Sequence, residues 1–391
     1  INENDLFAGR TAEVKKMLEA VLENGKHVFL FGEPGVGKTS LAKIFSRLFP
    51  TTARHILLYR EQADPSDNFA SLWRKVFKDI HIAQARNGED AVIPLASFYE
   101  GDIKPDDVRR ELEAIFKPSD IPIIIIDEYN KVTDSECHML MANTIKALSD
   151  YAVNVTVIVV GVADNVNELI GEHPSITRCV EQVPMPRMRP AERREILDKI
   201  IPRLGMKLHG DALWKIVNLS RGLPAYVHAL GLYSTQAAIN RRSLEVFETD
   251  VDKAITRLLE KSDESIKEDY AKATHSNRSD NLYRQVLLAC ALAETDDRGN
   301  FTPLAVCKPL AKILNREHDI EIAAFQQHLK NFISDDRGNI LVRKGRERAY
   351  RFRFKDPVMQ PYVIMRGMEQ GFVDKSAIEV LSFPAQTKLP I

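Results

Sequence analysis

Apolar and polar positions alternate at helical spacing over residues 11–24, and a short unbroken apolar run, Val28 to Phe31, then enters a glycine-rich loop. Leu41 to Leu48 continues as a helix, and His55 to Tyr59 predicts a second strand. Residues 69–80 put Leu72, Trp73, Val76, Phe77 and Ile80 on one helical face. Residues 81–104 hold no clear period and are expected to form a surface insertion. Helices are predicted over 108–116 and 135–149, and between them lies the apolar strand Ile121 to Ile126. Val155 to Val162 is a further buried strand. Strands apolar on both faces and alternating with helices imply a parallel α/β sheet.

Beyond Pro190 the period becomes helical only. Segments 191–204, 211–220, 224–239 and 248–260 predict a small helical domain. Residues 261–280 are polar and nearly free of large apolar groups, which suits a linker or an exposed helix end. A third unit begins at Asn281, with helices over 282–294, 303–315 and 320–334. Strand-like stretches follow at 339–344 and 349–354, with Arg346 in the turn, and a helix over 357–369 closes the unit. The expected division is therefore 1–190, 191–262, a linker at 263–280, 281–370, and a tail at 371–391. Internal repeats and low-complexity segments are absent from the sequence.

At 391 residues the chain is long enough for two or three domains. Its formal net charge of -1 removes any global attraction to polyanions, so a nucleic-acid surface would have to be a local patch. Cys137, Cys179, Cys290 and Cys307 show no zinc-like spacing and read as reduced core thiols, which points to the cytoplasm. The longest apolar runs are too short to cross a bilayer, and no signal-peptide pattern opens the sequence, so no membrane association is expected.

The segment Gly32-Glu33-Pro34-Gly35-Val36-Gly37-Lys38-Thr39 matches G-x4-G-K-[ST] at every position. It follows an apolar strand and precedes a helix, and Ser40 continues it. Glycines let backbone N–H groups turn inward around phosphates, and the helix N-terminus adds its dipole. Lys38 is expected to reach the β- and γ-phosphates, and Thr39 to ligate magnesium. Cofactors ATP or ADP with Mg2+ follow.

Ile123-Ile124-Ile125-Ile126-Asp127-Glu128 supplies two carboxylates at a buried strand's end. Asp127 is the candidate metal holder, and Glu128 the group that polarises an attacking water. After the third strand, Asn165 or Asp164 could sense the γ-phosphate, or simply cap the next helix. Arg178, just before the predicted last strand, could stabilise charge on a neighbouring subunit's ATP, or sit in a surface ion pair.

This order of features resembles the AAA+ ATPases, especially the initiator-like branch of origin-recognition initiators and transposition regulators. The resemblance implies a P-loop NTPase (AAA+) sheet domain, a helical lid and a C-terminal winged helix. In its terms, Asp5-Leu6-Phe7-Ala8-Gly9-Arg10 is the box that lines the adenine pocket, which makes Phe7 and Arg10 candidate nucleotide contacts. Gly32 to Ser40 is Walker A, Ile123 to Glu128 is Walker B, Asn165 falls near sensor 1 and Arg178 near the arginine finger. The lid's Gly-x-x-Arg pattern reads Gly222-Leu223-Pro224-Ala225 here, with Ala225 in the arginine's place and Arg221 near but not aligned. Gly222-Leu223-Pro224 is instead similar to the lid motif of STAND signalling ATPases, in which the proline helps line the nucleotide pocket. That likeness adds Pro224 to the candidate contacts.

Between residues 337 and 366 nine basic residues face only Glu347 and Asp356. Arg343, Lys344, Arg346, Arg348, Arg351 and Arg353 are the candidate contacts to DNA phosphates. Strand alternation should turn Arg351 and Arg353 outward and Phe352 and Phe354 inward. Gln326, Gln327 and Lys330 are candidates on a recognition helix. The first functional reading is thus an ATP-dependent switch that hydrolyses ATP, binds double-stranded DNA and forms homo-oligomers when ATP is bound. The second is a STAND-like signalling ATPase in defence or regulation, answering a protein partner, whose winged helix holds the ADP state and does not grip DNA.

Overall fold

A computed structural model describes residues 8–45, 55–86, 89–170, 176–276, 281–346, 349–374 and 377–378. The chain divides into two compact units, residues 1–33 with 37–185, and residues 34–36 with 186–391.

In the first unit the helix α1 (Thr11–Leu22) precedes the strand β1 (His27–Gly32), and α2 (Lys38–Phe45) follows the loop. Then come β2 (His55–Gln62), α3 (Phe69–Asp79), the hairpin β3 (His81–Arg86) and β4 (Glu89–Pro94), and α4 (Pro105–Ile115). The remaining elements are β5 (Asp120–Asp127), α5 (Ser135–Asp150), β6 (Thr156–Val162), the one-turn α6 (Asn167–Ile170) and β7 (Val180–Met185). Five strands form a sheet in the order β2-β5-β6-β1-β7, with every neighbouring pair parallel. The expected parallel α/β sheet is therefore present. Ile123 to Ile126 and Val157 to Val160 are wholly buried, as strands covered on both faces require. One layer over the sheet is carried by α3, whose Asn68 caps it through Ser71 and whose Phe69, Leu72, Trp73, Val76 and Phe77 are all buried.

The expected insertion at 81–104 is more regular than its sequence suggests, because β3 and β4 pair over six residues each. Neither strand joins the main sheet, and so neither acquires the uninterrupted apolar run that makes the other strands legible.

In the second unit α7 (Pro190–Ile200), α8 (Gly210–Leu219), α9 (Pro224–Asn240) and α10 (Glu248–Glu260) form the anticipated helical set. A two-residue parallel pair, β8 (Lys207–Leu208) with β9 (Glu245–Val246), corrects the helix-only reading. Of the two readings for 261–280, a linker or an exposed helix end, the structure has a helix. Residues Glu264–Thr274 form α11, with Ile266, Tyr270, Ala273 and Thr274 buried along one side. That stripe is narrow, and the lysines and acids around it hide it in the sequence.

Next are α12 (Tyr283–Leu292), α13 (Pro303–Ile313), α14 (Gln326–Phe332), the antiparallel hairpin β10 (Leu341–Lys344) and β11 (Arg351–Phe354), and α15 (Met359–Glu369). Phe301 bridges to Phe352 and extends the hairpin's edge. The expected helix at 320–334 is shorter, a 3-10 turn at Ile322–Ala324 followed by α14. The expected tail is partly packed, since Val373, Ala377 and Ile378 are buried. Among the described residues no helix is long and apolar enough to cross a membrane.

Candidate nucleotide site

β1 ends at Gly32, where φ is 156° and an added Cβ would lie 2.5 Å from the Met185 carbonyl oxygen. Only glycine lets β1 leave the sheet this close to β7. Gly35 and Gly37 take φ of 77° and 97°, and α2 starts directly at Lys38. The Lys38 ammonium is buried and donates to Gly32 O at 3.0 Å and Glu33 O at 2.7 Å. Burial pushes its pKa down to about 8, against the opposing pull of Asp127 and Glu33. It is a concealed cation folded onto its own loop's carbonyls, beside a helix N-terminus suited to an anion.

Thr39 Oγ1 donates to Asp127 Oδ1 at 3.3 Å, so the loop and the end of β5 meet as the spacing required. Asp127 also accepts from the Glu128 amide at 2.9 Å. Its second oxygen accepts from Arg60 Nη2 at 2.7 Å. A hydroxyl and a carboxylate side by side are oxygen donors of the kind a hard divalent cation takes. Among the described residues there is no cluster of three His, Cys, Asp or Glu that would form a metal cage without a substrate phosphate.

Glu128 stands at φ 56°, a left-handed backbone that is costly for a residue with a side chain. Its carboxylate accepts from Lys131 and from Gln62, and these bonds, Lys131's first, hold its pKa below the usual carboxylate value. Arg60 and Gln62 were not legible as site residues. Each is an ordinary polar residue on β2, and only the β2–β5 register, with Gln62 opposite Asp127, brings them to the acids.

The other candidates scatter. β6 does lie between β5 and β1, as a sensor strand would. Asn165, however, bonds Glu168 with both its amide nitrogen and its oxygen, and Asp164 N donates to the same glutamate, so these contacts are those of a helix cap. Arg178 is exposed and 3.5 Å from Asp150, an ion pair on the surface. Arg10 is 2% exposed, sits at φ 61° before α1 and pairs with Glu13 at 3.2 Å. Phe7 lies outside the described residues. Pro224 is the buried first residue of α9, and Ala225 beside it is exposed.

The hairpin alternates as expected, with Phe352 and Phe354 buried under Arg351 and Arg353. Its positive charge is less available than the sequence count implies. Arg351 pairs with Asp296 at 3.2 Å, Arg343 lies over the Tyr350 ring at 4.3 Å, and Arg366 pairs with Glu369. Arg337 stacks on Tyr283 and donates to the His275 carbonyl. Arg343, Lys344, Arg346 and Arg351 are all exposed, and Arg348 lies outside the described residues.

The sequence profile of the family described as Novel STAND NTPase 1 matches residues 1–289. The chain belongs to that family. Membership in this NTPase family implies nucleotide binding. No curated protein matches the chain in sequence. Among solved structures, a Walker-type ATPase of Pyrococcus abyssi is similar at 18% identity, TM-score 0.52, over 91% of this chain and 96% of that one. The ORC2 protein of Aeropyrum pernix, solved with ADPNP and ADP, is similar at 13% identity, TM-score 0.50, over 95% and 94%. These likenesses show that the chain has the AAA+-like fold of a P-loop ATPase.

Proposed function

We propose that this chain is a magnesium-dependent ATPase whose hydrolysis cycle sets a conformational switch of the STAND kind. The observation that carries it is Thr39 Oγ1 within 3.3 Å of Asp127 Oδ1, next to the buried Lys38 ammonium. Thr39 and Asp127 would hold magnesium, which when bound neutralises phosphate charge. Lys38 would leave the Gly32 and Glu33 carbonyls for the β- and γ-phosphates, exchanging neutral acceptors for anionic ones that bind an ammonium more strongly. Glu128 would orient water once Gln62 and Lys131 release it. The resemblance assigns Phe7, Arg10 and Pro224 to the base, Asn165 to sensing the γ-phosphate and Arg178 to a neighbouring subunit's ATP in an ATP-bound oligomer.

Residues 191–262 would act as a lid, 263–280 as its extension, and 281–370 as a winged helix that holds the resting state. Support for a holding arm comes from side-chain bonds inside the second unit. Tyr226 of α9 donates to Val358 O at 2.8 Å, and Arg187 donates to Gln360 of α15. A reader of DNA that moved freely would not need these. Steady-state ATP hydrolysis tests the enzyme part: Glu128→Gln should abolish turnover and keep binding, and equal turnover refutes the role given to Glu128. ADP retained through purification is expected of the resting switch.

A second reading, association with double-stranded DNA, rests on exposed Lys344 and Arg346 at the hairpin tip. Absence of duplex binding at low salt, with and without ATP, removes it.

A further inference from the structure

Three guanidinium groups of the second unit converge on one cleft. Arg187 precedes α7, Arg193 lies in its first turns, and Arg221 stands in the α8–α9 turn. With Arg189, Asn218 and residues 294–297 of the α12–α13 loop, they line a cleft of about 310 Å³. All its lining residues belong to the second unit.

Arg193 and Arg221 donate to neutral oxygens. Arg193 is 8% exposed and donates to Val217 O and to Ser220 Oγ, and its Nε is buried with no hydrogen-bond partner. Arg221 donates to Ala293 O at 2.9 Å. Arg187 donates to Gln360 and lies against Gly299, where φ is 71° and any Cβ would come within 2.3 Å of the guanidinium. The positive φ favours glycine there, and the missing Cβ leaves room for the guanidinium.

Arg187, Arg189, Arg193 and Arg221 line the cleft together with Glu294, Asp296 and Asp297, and the guanidinium groups act on one another. Burial and Arg187 push the Arg193 pKa down to about 10, and burial with Arg187 and Arg193 does the same to Arg221. Glu192 pulls the other way on Arg193, but it does not line the cleft. Of the acids that do, Asp296 is already engaged by Arg351, Asn300 and the Arg298 amide. Clustered guanidinium groups taken out of water call for an anion, and one dianion answers several at once.

We propose that this cleft binds a small phosphate monoester, about the size of a nucleoside monophosphate. Arg193 and Arg221 take the phosphate, since planar guanidinium forks match its oxygens. Glu294 and Asp297 accept from hydroxyl or amino groups at the ligand's other end. The volume lies at the small end of ligand pockets, which suits one such molecule. A ligand here would tie α7 and the α8–α9 turn to the α12–α13 loop, and so stiffen the second unit. The test removes the phosphate-loop lysine, so that failure of this proposal and failure of the nucleotide site can be told apart.

The experiment uses the full chain carrying Lys38→Ala, with inorganic phosphate and AMP as probes, read by calorimetry and thermal unfolding. Both probes should bind saturably and raise the unfolding temperature. Arg221→Gln in the same background should weaken both at least about tenfold, the loss of one charged hydrogen bond. Glu294→Gln should weaken AMP and leave inorganic phosphate unchanged, which keeps the test decisive if Arg221→Gln fails to fold. No saturable binding by Lys38→Ala overturns the proposal. So does binding that neither Arg221→Gln nor Glu294→Gln alters.

Discussion

Arg60 donates to Asp127 Oδ2 at 2.7 Å, so the carboxylate that should hold a metal is neutralised by a guanidinium from the neighbouring strand. The Asp127 side chain is 4% exposed and that of Arg60 29%, so solvent screens the pair little. Replacing Arg60 by Met should lower stability without nucleotide by about 1.5–3 kcal/mol, the usual worth of a charged hydrogen bond. Magnesium with ADP should narrow that gap, because the metal takes over the neutralising role. Thermal unfolding with and without both ligands checks this; an unchanged gap contradicts it.

Lys38 gives a pH signature. Its folded pKa is about 8 and its free value 10.5. Between those values the unfolded chain binds more protons than the folded one, so this residue makes stability rise with pH there. Nucleotide phosphate needs the ammonium, so binding above about pH 8 should take up a proton and weaken as pH rises. Calorimetry at about pH 8.5 in two buffers of different ionisation enthalpy measures that uptake. No buffer dependence would contradict the placement of the ammonium.

His27 gives a second one, at acid pH. It is fully buried at the start of β1, and its Nδ1 accepts from the Val157 amide at 3.1 Å. Burial pushes its pKa down to about 3. The stability it contributes is complete above about pH 6.5 and is lost as pH falls toward 3. His27→Gln should flatten that part of the stability–pH curve, read from urea midpoints.

Gly32→Ala places a Cβ 2.5 Å from the Met185 carbonyl oxygen. Backbone cannot yield as a flexible side chain can, so the variant should lose about 1–3 kcal/mol and bind nucleotide far more weakly. Unchanged affinity would contradict the tight exit of β1.

At the hairpin, Arg346→Ala should reduce the salt slope of any duplex binding by about 1. Arg351→Ala should have less effect on it, since Arg351 already faces Asp296. Equal losses for the two would mean that the ion pair opens on binding.

The sequence showed what is local. A complete phosphate-loop motif, two acids at the end of an apolar strand and a narrow hydrophobic stripe on α3 are each written in consecutive residues. Contacts made by strand register were hidden. Arg60 and Gln62 look like any polar residues of β2 until β5 pairs beside them. The polar face of α11 concealed a stripe of only four buried positions. Counting basic residues overstated the hairpin's free charge, because partners such as Asp296 and Tyr350 appear only once the chain is folded. Convergence of Arg187, Arg193 and Arg221 likewise needed α7, the α8–α9 turn and the α12–α13 loop in place.

The measurement that bears most directly on the whole account is calorimetric titration of the chain with ATP and magnesium, beside Lys38→Ala. One saturable site in the parent, abolished by the substitution, is the predicted result. No heat in the parent, or equal affinity in Lys38→Ala, contradicts the nucleotide site on which the rest is built.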